Sequence, residues 1–394
     1  MPDDCGAMYG PCRWDTMHTM SSGTIEISAA VCRGFGEPLA IETLRLASPE
    51  GSEIRVQVRA SSICHSDITY MDGGWGGADS LPAVFGHELA GVVTDLGPAV
   101  PPGGIRVGAR VLVSLLRSCG RCERCEAGSP AQCVAAFAID SAPRLSDPQG
   151  RPVRAGLRVG GFAESVVVDV SQAVTIPPEV ADEAACLVSC GVMTGFGAAI
   201  NTARVQAGDA VAVIGCGGVG LNCVQGAALA GALPLVAIDV TPDKLEQARA
   251  FGATDAIDSA NEDVAAKALA LTEGRGFDVV MTAVGSARAI EQALPLLARD
   301  GALVVVGMPP SEERVSLDAT TLAHFGQRIL GCKMGDARLR VDAPRLFRLY
   351  RAGRLRLDEL VASRRPLAEI NEAIAQARRS RGLRHVIVFP ERTP

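Results

Sequence analysis

The sequence has no long basic run, and its 38 Lys and Arg stand against 44 Asp and Glu in 394 residues. A net charge of −6 argues against nucleic acid or an anionic membrane as the main partner. Long apolar runs are also missing. The longest, 211–214, 235–238 and 302–306, are strand-length and too short to span a bilayer. Residues 1–23 lack the apolar core of a signal peptide and read as a loose N-terminal extension. A cytoplasmic location is expected. In a reducing compartment, thirteen cysteines point away from disulfides and toward metal ligands or buried thiols.

What is present follows two grammars. From Thr24 to about Val170, short β-rich runs (25–32, 54–60, 91–95, 110–113, 163–168) alternate with Gly and Pro, which predicts a small barrel-like β domain. A helical pattern crosses 184–201. Apolar strands at 210–215, 235–239, 279–283 and 302–307 then alternate with Ala-rich helical segments, the pattern of βαβ units on a parallel sheet. The tail adds amphipathic helices (343–352, 367–379) and a last strand, 384–389.

After the strand at 210–214 comes Gly215-Cys216-Gly217-Gly218-Val219-Gly220, with a helix behind it. A GxGxxG in that context fits a dinucleotide: Gly215 allows the tight turn, Gly217 the approach of a pyrophosphate, and Gly220 close helix–strand packing. The phosphates would sit at the helix N-terminus. Asp239, 19 residues past Gly220, can bond the adenosine ribose and repel a 2′-phosphate, which favours NAD over NADP. The rival reading makes Asp239 a helix cap, a task that Thr241 before Pro242 fits better.

Cys119, Cys122, Cys125 and Cys133 form a C-x2-C-x2-C-x7-C cluster. Four thiolates this close suit a closed structural zinc, with an iron–sulfur cluster as rival. Arg117, Arg121 and Arg124 would offset its charge. A second set is dispersed: Cys64-His65-Ser66-Asp67, Gly86-His87-Glu88 and Cys190-Gly191. Two thiolates and one imidazole leave a fourth position open, as a catalytic zinc requires.

Taken together, in this order, these residues resemble the zinc-dependent alcohol dehydrogenases of the medium-chain dehydrogenase/reductase superfamily, whose known catalytic ligand set is two Cys and one His. The resemblance implies an α/β protein: a GroES-like β-rich catalytic domain plus a Rossmann domain with a doubly wound parallel sheet. The expected boundaries are 24–190 for the catalytic domain with its structural zinc lobe, 191–333 for the Rossmann domain, and 334–394 for a return to the catalytic domain. By position, Cys64, His87 and Cys190 look like the catalytic zinc ligands, Glu88 like the nearby acid, and Asp67 like the group that orients His87. Ser66 resembles the hydroxyl that takes the proton from the alcohol. His65 and Arg384 resemble pyrophosphate contacts. Gly218, Val219 and Thr194 fall beside the cofactor, and Lys244 would assist Asp239. One departure is Thr69, where many members carry a histidine that passes the proton outward, so His65 or water would take that part.

The implied reaction is reversible oxidation of a primary alcohol to the aldehyde by hydride transfer to NAD. Two zinc ions per chain and a homodimer or homotetramer come with it, the subunits pairing through the segment near 302–308. The family position of the pocket (Leu115, Val192, Met308 and Trp75) is mostly apolar, so a medium-sized hydrophobic, allylic or aromatic alcohol is expected. Trp75 reads equally as pocket wall or loop anchor. The loop 135–160 would border the entrance. Arg117 and Arg144 could instead receive an anionic adduct, making the substrate an S-(hydroxymethyl)thiol. Some members hold NAD in place and recycle it with an external acceptor. A non-catalytic sensor of NAD is the reading from a different class. The other cysteines (Cys5, Cys12, Cys32, Cys186, Cys216, Cys223, Cys332) read as unliganded.

Overall fold

The computed structural model describes residues 23–75, 77, 80–379 and 382–391. All but the last residue of the expected N-terminal extension, with Cys5 and Cys12, therefore lie outside the described residues.

Alternating apolar positions in the first half bury one face of each strand, and two sheets result. A closed barrel takes Ile25–Cys32, Ala40–Leu46, Leu145–Ser146, Pro152–Ala155 and Ala83–Val84 in that order. A 7-stranded sheet runs Ala173–Thr175, Arg110–Val113, Glu88–Leu96, Glu53–Ser62, Arg384–Val388 and Val361–Pro366, with Ser165–Asp169 also paired to Glu53–Ser62. The last two strands of the chain thus join a sheet begun by the first half. The expected entrance loop 135–160 is corrected here. Its strands Leu145–Ser146 and Pro152–Ala155 are barrel staves, with Leu145 and Val153 in the apolar core.

The second half forms a 6-stranded parallel sheet in the order Asp255–Asp258, Leu235–Asp239, Val211–Ile214, Phe277–Thr282, Leu297–Val305, Arg328–Gly331. The order reverses beside Val211–Ile214, the point at which open α/β sheets bind ligands, and the glycine turn follows that strand. The free edges are Asp255–Asp258 and Arg328–Gly331. Subunit pairing through 302–308 is therefore ruled out for the strand itself, because Leu297–Val305 is hydrogen-bonded on both sides.

Between the halves runs Asp182–Ala203. It is long and apolar enough to cross a membrane, but 89% of its most apolar window is buried inside the protein, so it serves as a core helix. It widens into π-helical turns at Val188–Val192 and Ala198–Ala203. Gly197 lets its backbone lie flush against Gly335, where an added Cβ would strike the Gly335 backbone. Gly197→Ala should therefore destabilise the fold by about 1–3 kcal/mol through overpacking. Calorimetry on metal-loaded protein should show a lower Tm, and an unchanged Tm would remove this contact from the account.

Candidate metal and dinucleotide centre

Cys64 ends an extended segment and is the N-cap of the helix His65–Met71, and Asp67 at the third helical position closes a capping box on it. Asp67 Oδ2 accepts from the Cys64 N–H (3.2 Å), and Oδ1 accepts from the Gly86 N–H (3.0 Å). The same Oδ1 lies 2.9 Å from His87 Nδ1. One buried carboxylate thus fixes two ligand-bearing segments and turns His87 Nε2 inward, where it sits 3.3 Å from Cys190 Sγ. Cys190 comes from the π-helical turn Val188–Val192.

The donor atoms of Cys64, His87, Glu88 and Cys190 all lie within 4.8 Å of one another, and all four residues are buried. Glu88 is 0% exposed and neither carboxylate oxygen accepts a hydrogen bond. Burial pushes its carboxyl up to about 7, against the pull of the Arg384 guanidinium 3.3 Å away. The Cys190 thiol bonds to Cys64 and, with Arg384, holds Cys64 well below the usual thiol range despite burial, while Cys190 itself is pushed up. Burial works to lower His87, but Asp67 outweighs it and raises the imidazole. Two thiols, an imidazole and a buried carboxylate converging on one point are what a metal cation would satisfy, so these residues fit zinc.

The second cluster also assembles. Cys119, Cys122, Cys125 and Cys133 have sulfurs within 4.8 Å of one another, around the short helix Glu123–Glu126. Hydrogen bonds to the Val134 and Cys125 backbone draw Cys122 down to about 6, whereas desolvation pushes Cys125 up to about 12. Arg117 does not offset this charge. Its side chain turns inward, with Nε donating to Gln172 Oε1 (2.9 Å) and Nη1 to Asp140 Oδ1 (2.6 Å), under the Phe137 ring. Arg144 is likewise committed, to Glu50 and Glu53. Neither guanidinium is free to receive an anionic adduct, which removes the charge argument for a thiol-adduct substrate.

At the sheet's switch point Gly215 has φ +90° and its N–H donates to Ile238 O (2.8 Å). A Cβ on Gly220 would overlap the Gly215 carbonyl. At Gly217 a Cβ would meet nothing within 4 Å, so no packing inside the chain asks for glycine there. That open face fits a ligand approaching the turn. Asp239 Oδ2 accepts from Cys216 N–H (2.7 Å) and Oδ1 from Thr241 N–H (3.0 Å). Thr241 holds the N-cap position without a side-chain bond, so Asp239, not the Thr241 hydroxyl, ties this turn. Arg384 lies against Gly191 and Gly218, where a Cβ on either would strike its guanidinium, and so spans from the metal cluster to the glycine turn. Val219 caps the following helix by position, and Lys244 is half-buried beyond Asp239. Cys216 is buried, and burial pushes its thiol up to about 12.

Ser66 is half-buried and His65 exposed, both in the first turn after Cys64. Thr69 Oγ1 donates to the His65 carbonyl (2.9 Å). Leu115 is half-buried and Met308 is 63% exposed. Trp75 Nε1 donates to the Pro309 carbonyl (3.0 Å) and its ring meets Tyr70 edge-on, so it bridges the two halves of the chain. Val192 is enclosed in the core and offers no surface to a cleft, which corrects its expected place in the pocket wall. Three further residues were silent in the sequence. Met334, in a left-handed run with Gly335 and Asp336, sets Sδ 3.6 Å from Cys190 Sγ and from Thr194 Oγ1. Ser114 and Gln172, both buried, bond to the segments that carry the ligands.

Residues 50–178 match the family model of the alcohol dehydrogenase GroES-like domain, and 218–350 that of the zinc-binding dehydrogenases. An NDMA-dependent alcohol dehydrogenase of Amycolatopsis methanolica is 35% identical over 374 residues, covering 92% of this chain and 99% of that protein. The S-(hydroxymethyl)glutathione dehydrogenase of Saccharomyces cerevisiae is 33% identical, covering 93% and 97%. Among solved structures, benzyl alcohol dehydrogenase from Acinetobacter calcoaceticus superposes with a TM-score of 0.85 at 30% identity, over 93% of this chain and all of that one. The chain belongs to the zinc-dependent alcohol dehydrogenases of the medium-chain dehydrogenase/reductase superfamily.

Asp67→Asn would keep the shape but leave His87 without its carboxylate. Metal affinity of the buried cluster should fall about 10–100-fold, read by competition with a chromogenic chelator. Retention of wild-type affinity would show that Asp67 does not orient the ligand.

Proposed function

We propose that the chain catalyses reversible, NAD-linked oxidation of a primary alcohol to its aldehyde, the substrate being medium-sized and apolar, allylic or aromatic. The observation that carries this reading is the buried Cys64–His87–Glu88–Cys190 cluster joined through Arg384 to the glycine turn. Cys64, His87 and Cys190 would hold the catalytic zinc, and Cys119, Cys122, Cys125 and Cys133 the structural one. Zinc, when bound, supplies a Lewis acid for the alcohol oxygen, and NAD the hydride acceptor.

The chain's own residues do the rest. Asp67 keeps the His87 proton on Nδ1, leaving Nε2 as a lone-pair donor. Ser66 takes the alcohol proton on its hydroxyl oxygen as it hands its own hydroxyl proton on. Thr69 cannot stand in for a histidine relay, because its hydroxyl is turned back onto the His65 carbonyl; His65 or water carries the proton outward. Arg384 and His65 face the pyrophosphate, Thr194 and Val219 flank the nicotinamide, and Asp239 with Lys244 takes the adenosine ribose. The Asp239 carboxylate at that position favours NAD over NADP. Leu115, Trp75 and Met308 give the cleft its apolar wall.

A second reading, oxidation of an S-(hydroxymethyl)thiol, is favoured by the yeast relative's activity. A homodimer or homotetramer is proposed through the edge strand Arg328–Gly331, which carries an exposed Ile329. A cytoplasmic location is part of the same reading, since thirteen cysteines, several at metal-ligand spacing, suit a reducing compartment.

The test is NAD reduction by metal-quantified protein on short aliphatic, long aliphatic, allylic and benzylic alcohols. Formaldehyde with low-molecular-weight thiols forms a separate arm, and an external hydride acceptor another. Turnover on apolar alcohols is expected. Turnover in the thiol arm alone would replace the first reading by the second, and silence in every arm would refute catalysis. Ser66→Ala should slow turnover by roughly two to four orders of magnitude with metal content unchanged; an unaffected rate would remove Ser66 from proton transfer. Sedimentation should give a dimer or larger, and a monomer at working concentration would contradict pairing at Arg328–Gly331.

A further inference from the structure

The two cysteine clusters are joined by a continuous line of buried polar groups. Arg117 stands two residues before Cys119, and its Nε donates to Gln172 Oε1 at 2.9 Å. Gln172 Nε2 donates to the Ser114 carbonyl (2.9 Å), and Ser114 Oγ donates to the Ser189 carbonyl (2.6 Å). The Ser189 carbonyl belongs to the same peptide plane as the Cys190 N–H. Ser114, Gln172 and Ser189 are 0% exposed and Arg117 4%.

Gln172, at the centre of the line, is saturated and cannot shift without losing a bond. The Gln172 amide also accepts from Asp169 N–H (3.3 Å) and donates to the Arg158 carbonyl (3.1 Å), which uses its two lone pairs and both N–H groups. The Ser118 N–H on the same segment donates to Ser171 Oγ (3.2 Å). Moving Arg117 removes one of the two donors to the Gln172 amide oxygen, and moving the Gln172 side chain takes a side-chain donor from the Ser114 carbonyl. Losing a partner from a buried polar group is costly, so displacement at one end is resisted at the other. The last bond falls on a π-helical turn, where Ser114 supplies a donor from outside the helix to the peptide entering Cys190.

We propose that this chain couples the two metal centres: Arg117, Gln172 and Ser114 are positioning residues through which a filled Cys119–Cys133 lobe holds Cys190 in its ligating position. The coupling rests on the assignment of both clusters as zinc sites. Loss of metal from the lobe frees Arg117, loosens Ser114 and speeds metal loss from the buried centre.

The experiment uses the full-length protein with cobalt(II) in the Cys64–His87–Cys190 centre and zinc in the lobe, so that thiolate-to-cobalt absorption reports only the buried centre. Cys125→Ser, which empties the lobe, should speed cobalt release to a chelator by about tenfold. Ser114→Ala should speed it comparably and shift the cobalt spectrum, and Ser114→Thr, which keeps the hydroxyl, should restore both. In the combined Cys125→Ser, Ser114→Ala protein the effects should not multiply, because both cut one path. Multiplying effects, or a Ser114→Ala protein with wild-type release and spectrum, would overturn the coupling while leaving both metal sites standing. Should Cys125→Ser fail to fold, Gln172→Met with the lobe intact replaces it, and unchanged release in that variant overturns the coupling equally. Failure of either cluster to bind metal at all would overturn the site assignment and the coupling with it.

Discussion

Burial of ionisable groups is the constraint from which the rest of this structure follows. Cys64, His87, Glu88 and Cys190 have been taken out of water together, and Glu88 lies there with no hydrogen bond to either oxygen. A group in that position is costly without a counter-charge. Arg384 supplies one at 3.3 Å from the C-terminal strand, itself nearly fully buried. The same guanidinium occupies the space left by the missing side chains of Gly191 and Gly218. One cation therefore joins the buried cluster to the glycine turn, and glycine at both positions leaves it room. The remaining imbalance, thiols and a carboxylate converging on one point, is what zinc resolves.

Features set by short sequence spans were legible. The glycine turn announces itself because its strand, its turn and its helix lie within a few residues. The four-cysteine lobe does so because its ligands span only 119–133. The dispersed ligands needed the resemblance, since no local rule links Cys64 to a histidine 23 and a cysteine 126 residues further on.

What escaped depends on partners far away in sequence. Arg117 and Arg144 looked available because nothing beside them in the chain neutralises them, yet Asp140, Gln172, Glu50 and Glu53 do so in space. The resemblance placed subunit pairing near 302–308, but the short strand Arg328–Gly331, mostly exposed, lies outside that segment and forms the edge. Residues 135–160 have few apolar runs, but Leu145 and Val153 suffice to stitch them into the barrel. Val192 follows Cys190 by two residues, and the π-helical turn directs it into the core. Met334 sits before a single glycine, and its left-handed backbone has no signature in the residue type itself.

Membership of the family fixes the kind of chemistry, and around the buried cluster Asp67 bonds to Cys64, Gly86 and His87 while the Thr69 hydroxyl is turned onto the His65 carbonyl. Turnover is expected to depend on metal in the buried cluster. The direct measurement strips the protein with a chelator, returns zinc in steps, and follows NADH formation from a benzylic alcohol against occupancy of the Cys64–His87–Cys190 centre. The rate should rise in proportion to that occupancy and vanish without it. Undiminished turnover with that centre empty would contradict this dependence.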